Sequence, residues 1–147
     1  MSREKQIKDF LDKTPYVFVY GTLQKKYGNN RLLDGAAFLG SDTTKEKMLM
    51  GTTGIPYVFH SDVVPEKFKH LLRPVRGEVF KVDESHVEGL DGLEGCHYED
   101  KERSHYWRRL VTTKSLGKTC WMYTQESFMA AGRCYAANIN EQGEWKW

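Results

Sequence analysis

The sequence has no long apolar run. Its 147 residues contain nothing close to the roughly 20 consecutive apolar residues that a membrane-spanning helix needs. The opening segment, Met1-Ser2-Arg3-Glu4-Lys5-Gln6, lacks the apolar stretch of a signal peptide. These absences predict a cytoplasmic protein with no membrane partner.

The sequence also lacks an excess of charge of one sign. It has 22 Lys+Arg against 20 Asp+Glu, which gives a formal net charge of +2. That balance is too small to build the basic surface on which nucleic acid or an anionic membrane binds. We therefore expect no nucleic-acid partner.

Cysteine is scarce, and the three cysteines, Cys96, Cys120 and Cys134, are not closely spaced. An odd number without a close pair fits neither a disulfide framework nor a zinc ribbon. We interpret them as free thiols and predict no metal site. A thiol enzyme built on Cys96 and His97 is disfavoured, because neighbours in sequence usually point apart.

The length predicts one domain over residues 1–147. Residues 1–14 form a helical extension in this prediction, since Ile7, Phe10 and Leu11 recur at helical spacing before Pro15. Short β-like runs punctuated by Gly, Pro and Asp then predict an α+β fold with a barrel or strongly curved sheet. These runs cover residues 16–20, 36–43, 47–51, 57–60, 75–82, 106–113 and 119–124, the first a central strand and the last two a hairpin.

A second helix is predicted from an N-cap at Asp83 to about Glu94, with Gly95 placed to end it. On the helical wheel Glu94 falls between the apolar Val87 and Leu90, so its carboxylate faces the core. Because burial penalises a charge, that carboxylate must find a partner or take up a raised pKa.

Two alternatives for this carboxylate stay open. Glu94 could be an ordinary core-edge residue paired with a guanidinium, the commoner role, and the candidate partners are Arg76, Arg103, Arg108 and Arg109. Asp91 lies near the same helix face and is a rival, although an Asp at this position is more often solvated or a cap.

The first strand ends in a turn that could bind an anion. Successive backbone N–H groups at Tyr20-Gly21-Thr22 could form a nest, because Gly permits close approach and unusual φ. An ordinary turn is the commoner outcome of such a pattern. Composition does not decide between the two.

Three motifs follow one another along the chain. The first reads Val17-Phe18-Val19-Tyr20-Gly21-Thr22-Leu23, with Asn30-Arg31-Leu32-Leu33 after it. The second reads Leu90-Asp91-Gly92-Leu93-Glu94, then Tyr106-Trp107-Arg108. The third is the closing Gly143-Glu144-Trp145. From about residue 16 onward the chain resembles the γ-glutamylcyclotransferase-like superfamily, particularly its γ-glutamylamine cyclotransferase and AIG2-like branch.

This resemblance implies a small mixed β-barrel with flanking short helices. It also implies a reaction without a cofactor, in which the α-amine of a γ-glutamyl group attacks its own γ-carbonyl, releasing an amine and 5-oxoproline. Glu94 would be the catalytic acid/base, and Arg108 an ion-pair partner rather than a substrate clamp. The implied substrate-binding residues are Tyr20, Gly21, Thr22, Leu23 and Tyr123.

The connection over residues 95–105 is longer than is usual in that family. We expect it to border the pocket, which leaves the leaving group undetermined. Two other functions stay open: a cyclotransferase acting on γ-glutamyl amino acids or peptides, and a non-enzymatic protein that binds a small ligand on the same fold. The oligomeric state is not predicted.

Overall fold

The computed structural model describes residues 2–53, 55–94, 96, 106–126, 139–140 and 143–144. None of the helices in these ranges is long and apolar enough to cross a membrane.

Helix α1 spans Arg3–Lys13, as predicted for the opening segment. It begins at Ser2, whose side chain accepts a hydrogen bond from the Lys5 N–H, and such a cap satisfies one of the free amides of a first turn. Phe10 is fully buried, and its ring lies 5.2 Å from that of Trp121. The helix therefore contributes to the core.

Helix α2 spans Glu84–Glu94, also as predicted. Asp83 accepts a hydrogen bond from the Ser85 N–H at 2.9 Å, which confirms it as the N-terminal cap. Val87 and Leu90 are fully buried, so the apolar stripe faces the core. Gly95, the predicted end signal, lies outside the described residues.

Seven strands form one curled sheet in the order β3-β2-β4-β1-β6-β5, with β7 paired to β2. Their bounds are β1 Tyr16–Val19, β2 Ala37–Thr53, β3 Ile55–His60, β4 Arg73–Lys81, β5 Trp107–Thr112, β6 Thr119–Thr124 and β7 Ile139–Asn140. The pairing of β1 with β6 is parallel and the other pairings are antiparallel. The α+β fold with a mixed, barrel-like sheet and short helices is confirmed.

The curl brings the two edges of the sheet together. The Gln125 N–H, just after β6, donates to the Val58 carbonyl on β3 at 2.8 Å. The Lys114 N–H, just after β5, donates to the Thr43 carbonyl on β2 at 2.8 Å. The sheet is thus a half-barrel, and β1 lies at its centre with both faces buried, as predicted.

Three parts of the fold differ from the expected pattern. The runs at 36–43 and 47–51 are one strand, β2, whose pairing with β4 shifts register between Thr43 and Lys47. That irregularity absorbs the polar residues that separated the two runs in the sequence. Residues Gly28–Leu33 form a 3₁₀ helix, and two further 3₁₀ helices, Ser61–Val63 and Glu66–Leu71, were not predicted.

The described part of the tail docks on the sheet. β7 pairs with β2 through Met50 and Gly51. The Gly143 carbonyl accepts a hydrogen bond from the Arg76 N–H at 2.8 Å, and Gly143 has a φ of +68°, which favours glycine. The two tail tryptophans lie outside the described residues.

Candidate active site

A cavity of about 310 Å³ opens where the end of β1, the turn after it and the end of α2 meet. All six residues predicted for the site, Tyr20, Gly21, Thr22, Leu23, Glu94 and Tyr123, line it. The other lining residues are Phe18, Val19, Asn29, Pro56, Leu93 and Tyr106. The structure therefore brings together segments that lie far apart in the sequence.

Glu94 is the last residue of α2, and it lines the cavity. Burial, and secondarily the negative charge of Asp91, raises the pKa of Glu94 to about 7. Three of the four arginines named as candidate partners of Glu94 pair with other carboxylates. Arg76 pairs with Glu144, Arg108 with Asp91, and Arg109 with Asp62 and Glu126. Arg103 lies outside the described residues. Of the two outcomes expected for a carboxyl on this face, the raised pKa is the one that the structure shows.

Asp91 is buried, with 2% of its surface exposed, so the expectation of a solvated or capping residue was wrong. Its Oδ1 atom lies 3.0 Å from Nε of Arg108 and accepts a 2.5 Å hydrogen bond from the Tyr123 hydroxyl. Its Oδ2 atom lies 3.3 Å from Nη1 of Arg3. These contacts explain how a buried charge is tolerated at this position.

Arg108 is an ion-pair partner inside the core, as predicted. Its side chain is fully buried, and its guanidinium carbon lies 4.7 Å from the ring centre of Phe10 and 5.0 Å from that of Trp121. Packing between two aromatic rings stabilises a buried guanidinium. Arg108 is not among the residues that line the cavity.

The turn after β1 is fixed by side-chain amides. Gln24 donates from Nε2 to the Tyr20 carbonyl at 2.9 Å, and Asn30 donates from Nδ2 to the Leu23 carbonyl at 2.8 Å. Asn29 donates to the Thr22 hydroxyl at 2.8 Å. Because these bonds occupy carbonyl and hydroxyl oxygens, they set the direction of the peptide groups without using their N–H donors.

Of the two reasons given for glycine in this turn, the unusual φ was wrong. Gly21 is not among the described residues with positive φ, so it does not supply the unusual backbone conformation expected of a nest. A Cβ atom at Gly21 would lie 3.1 Å from Cγ of Pro56 on β3. The glycine is explained by this close approach across the cavity wall.

Three tyrosines surround the cavity and are held by hydrogen bonds. The Tyr20 hydroxyl donates to the Tyr123 carbonyl at 2.6 Å, and the Tyr106 hydroxyl donates to the Pro56 carbonyl at 3.1 Å. Burial raises the pKa of Tyr20 and of Tyr123 well above the ordinary value, so both stay protonated near neutral pH. They act as fixed walls and hydrogen-bond donors.

The thiol alternative loses support. Cys96 is buried, and burial followed by the charge of Asp91 raises the pKa of its thiol to about 11. The thiolate is the reactive form of cysteine, and near neutral pH it is scarce at such a site. Its proposed partner His97 lies outside the described residues.

Comparison with known proteins identifies the family. The model of the family described as gamma-glutamyl cyclotransferase, AIG2-like, matches residues 17–146. The chain belongs to this family. The match includes the turn after β1, all of α2 and the strand β6, which together build the cavity.

Curated relatives of this chain come from distant organisms. A putative γ-glutamylcyclotransferase from Methanocaldococcus jannaschii is 42% identical over 54% of this chain and 61% of its own length. One from Drosophila melanogaster is 31% identical over 76% of this chain and 70% of its own. The human γ-glutamylaminecyclotransferase is 39% identical over 54% of this chain, a match that spans 53% of the human protein.

Solved structures of other proteins have the same fold. An AIG2-like protein from Mus musculus superposes with a TM-score of 0.62 at 27% identity, covering 86% of this chain and 88% of its own. A uropathogenic Escherichia coli-specific protein superposes with a TM-score of 0.64 at 18% identity over 89% and 91% of the two chains, and shows the fold alone.

Six lining residues of this site were not predicted as site residues, and they are Phe18, Val19, Asn29, Pro56, Leu93 and Tyr106. Phe18, Val19 and Leu93 lay within the quoted motifs. Tyr106 was part of the Tyr-x-Arg motif, which was the available signal for it. Asn29 lies between the first two motif segments, and Pro56 carried no signal. Pro56 and Tyr106 meet only because the sheet curls.

Proposed function

We propose that this chain converts a γ-glutamylamine into 5-oxoproline and a free amine, with Glu94 as general base and then general acid. The observation that carries the proposal is that Glu94 lines the cavity and that the pKa of its carboxyl group is raised to about 7. A group that titrates near neutral pH can accept a proton and return it within one catalytic cycle.

The reaction needs no oxidant and no second substrate. The α-amine nitrogen of the γ-glutamyl group attacks the γ-carbonyl carbon and closes a five-membered ring. An α-amine has a reference pKa of about 8, so Glu94 removes its proton as the new C–N bond forms. The old C–N bond then breaks, and the same proton passes from Glu94 to the leaving nitrogen.

The turn after β1 supplies the binding part of the proposal. No turn or loop hydrogen bond within the described residues uses the N–H groups of Gly21, Thr22 or Leu23. These groups can hold the substrate carboxylate or the developing oxyanion. Tyr20 and Tyr123 form the wall beside them.

The choice of an amine as leaving group rests on the relatives. The human and rat proteins named γ-glutamylaminecyclotransferase are 39% and 36% identical over about half of this chain. That level supports the substrate class within the family as a proposal. We expect γ-glutamyl-ε-lysine to serve as a test substrate.

The test measures 5-oxoproline release from γ-glutamyl-ε-lysine, a γ-glutamyl amino acid and a γ-glutamyl peptide. Glu94→Gln removes the titrating proton and nearly preserves the shape, so kcat should fall about 10²- to 10⁴-fold. Glu88→Gln is the matched control, because Glu88 is an exposed glutamate of the same helix. Its kcat should equal that of the wild type.

Each alternative gives a different result in this assay. Equal turnover by Glu94→Gln and the wild type would remove Glu94 from the mechanism. Turnover confined to the amino-acid or peptide substrates would assign a different cyclotransferase specificity. Binding of these compounds by calorimetry without turnover would favour a non-enzymatic binding protein.

A further inference from the structure

Helix α1 precedes residues 17–146, which the family model matches, yet it reaches the charged cluster beneath the candidate site. Arg3, in its first turn, places Nη1 3.3 Å from Oδ2 of Asp91 and 3.1 Å from Oε1 of Gln6. The Arg3 side chain is 35% exposed, whereas that of Asp91 is 2% exposed. An extension of the chain thus supplies a cation to a buried carboxylate.

The two oxygens of Asp91 have different partners. Oδ1 receives Arg108 and the Tyr123 hydroxyl from within the core, and Oδ2 receives Arg3. The partner of Oδ2 is thus the partly exposed Arg3, whereas a partner of Oδ1, Arg108, has a fully buried side chain.

Five charged or titratable groups within the described residues contact Asp91 or interact with its charge. They are Arg3 from α1, Arg108 from β5, Tyr123 from β6, Glu94 on α2 itself, and Cys96 just after α2. Arg108 offsets the charge of Asp91. Arg3 is the second cation, so it offsets repulsion when Glu94 also becomes charged.

We propose that Arg3 is a positioning residue for the candidate active site: it holds Asp91 as the acceptor of Tyr123 and limits the repulsion that Asp91 exerts on Glu94. An effect of Arg3 on catalysis rests on the proposed function, in which Glu94 is the general base. The effect of Arg3 on the titration of Glu94 does not depend on any substrate.

The test compares the wild type with Arg3→Gln, Arg3→Lys and, as matched control, Lys8→Gln, an exposed cation of the same helix. Carbon-13 NMR of the Glu94 carboxyl follows its titration directly. In Arg3→Gln the midpoint should rise by about 0.5 pH unit, because an uncompensated Asp91 disfavours a second negative charge. Arg3→Lys should restore most of the midpoint, and Lys8→Gln should leave it unchanged.

Activity supplies a second readout. The acid limb of kcat/KM should move with the NMR midpoint, and rates above that limb should stay within about twofold of the wild type. The difference between Arg3→Gln and the wild type should shrink in about 1 M salt, since the guanidinium is partly exposed. If the contact between Arg3 and Asp91 only held helix α1 in place, its loss in Arg3→Gln would instead lower activity at every pH.

An unchanged Glu94 midpoint in folded Arg3→Gln overturns the inference, whether or not the protein turns over substrate. Equal shifts in Arg3→Gln and Lys8→Gln also overturn it, because they would reflect net charge alone. A specific shift without any turnover by the wild type supports the charge coupling and defeats the proposed function instead.

Discussion

Two carboxyl groups are withdrawn from water in different regions of the molecule, and their pKa values move in opposite directions. Asp42 lies on β2 beneath the turn of the β5–β6 hairpin and is 3% exposed. Burial alone would raise its pKa, but hydrogen bonds from the Leu116, Ser115 and Thr43 N–H groups outweigh burial and lower it. Glu94 lacks such donors in the described structure, and burial raises its pKa to about 7.

The contrast between Asp42 and Glu94 shows that burial alone does not set the pKa of a carboxyl group. Both carboxylates leave water, yet the one that receives three backbone donors is fixed as an anion, and the other keeps its proton until near neutral pH. The number of donors aimed at a buried carboxyl therefore decides whether it stabilises the fold or becomes available for proton transfer.

The largest expected effect that tests this contrast is on stability, from Asp42→Ala. This change leaves three buried or partly buried N–H groups without their charged acceptor, so the free energy of unfolding should fall by about 2–4 kcal/mol. Chemical denaturation measures it, with the exposed Asp12→Ala as control. If the free energy of unfolding fell by less in Asp42→Ala than in the control, the stability of the hairpin turn would not depend on Asp42.

A smaller effect of opposite sign is expected from Glu94→Gln. The folded pKa of Glu94 is raised above the unfolded value of 4.5, so the wild type loses stability as pH rises from about 4.5 through 7. Glutamine removes this loss, and the variant should be more stable than the wild type by about 1–2 kcal/mol near pH 8. Denaturation at several pH values measures the difference, which should close toward pH 4.5. A constant difference across this range would contradict the raised pKa.

The smallest effect is expected from Asp42→Asn, which keeps an acceptor but loses the charge. Its destabilisation should be about 1 kcal/mol near pH 7. Because the folded pKa of Asp42 is lowered, the wild-type advantage is present above the unfolded value of 3.8 and disappears as pH falls through the folded pKa. Acid titration of the thermal midpoint of both proteins tests this, and a gap that persists in acid would count against it.

Sequence reasoning succeeded where the physics is local. The position of Glu94 on the apolar face follows from helix periodicity alone, and the cap at Asp83 is read from its neighbours. The order of the motifs then predicted five of the six site residues, and Tyr123 was predicted from its place on the last long strand; all six line the cavity. Their roles remain proposals.

It failed where a partner comes from a distant element. Asp91 was expected at the surface because its neighbours include Gly92, whereas its burial depends on Arg3, 88 residues away, and on Arg108. Gly21 was assigned an unusual φ, whereas its reason is the approach of Pro56. Neither contact leaves a periodic signal in the chain, because each joins elements that are far apart in the sequence.

The parallel pairing of β1 with β6 has a consequence for how the site comes into being. Tyr20 and Tyr123, which that pairing brings together, are 103 residues apart. Contacts of such high sequence separation carry a large loop-closure cost and form after local pairings such as the β5–β6 hairpin. The cavity therefore requires β1 and β6 to be paired, and a ligand that binds only the completed cavity should stabilise that pairing.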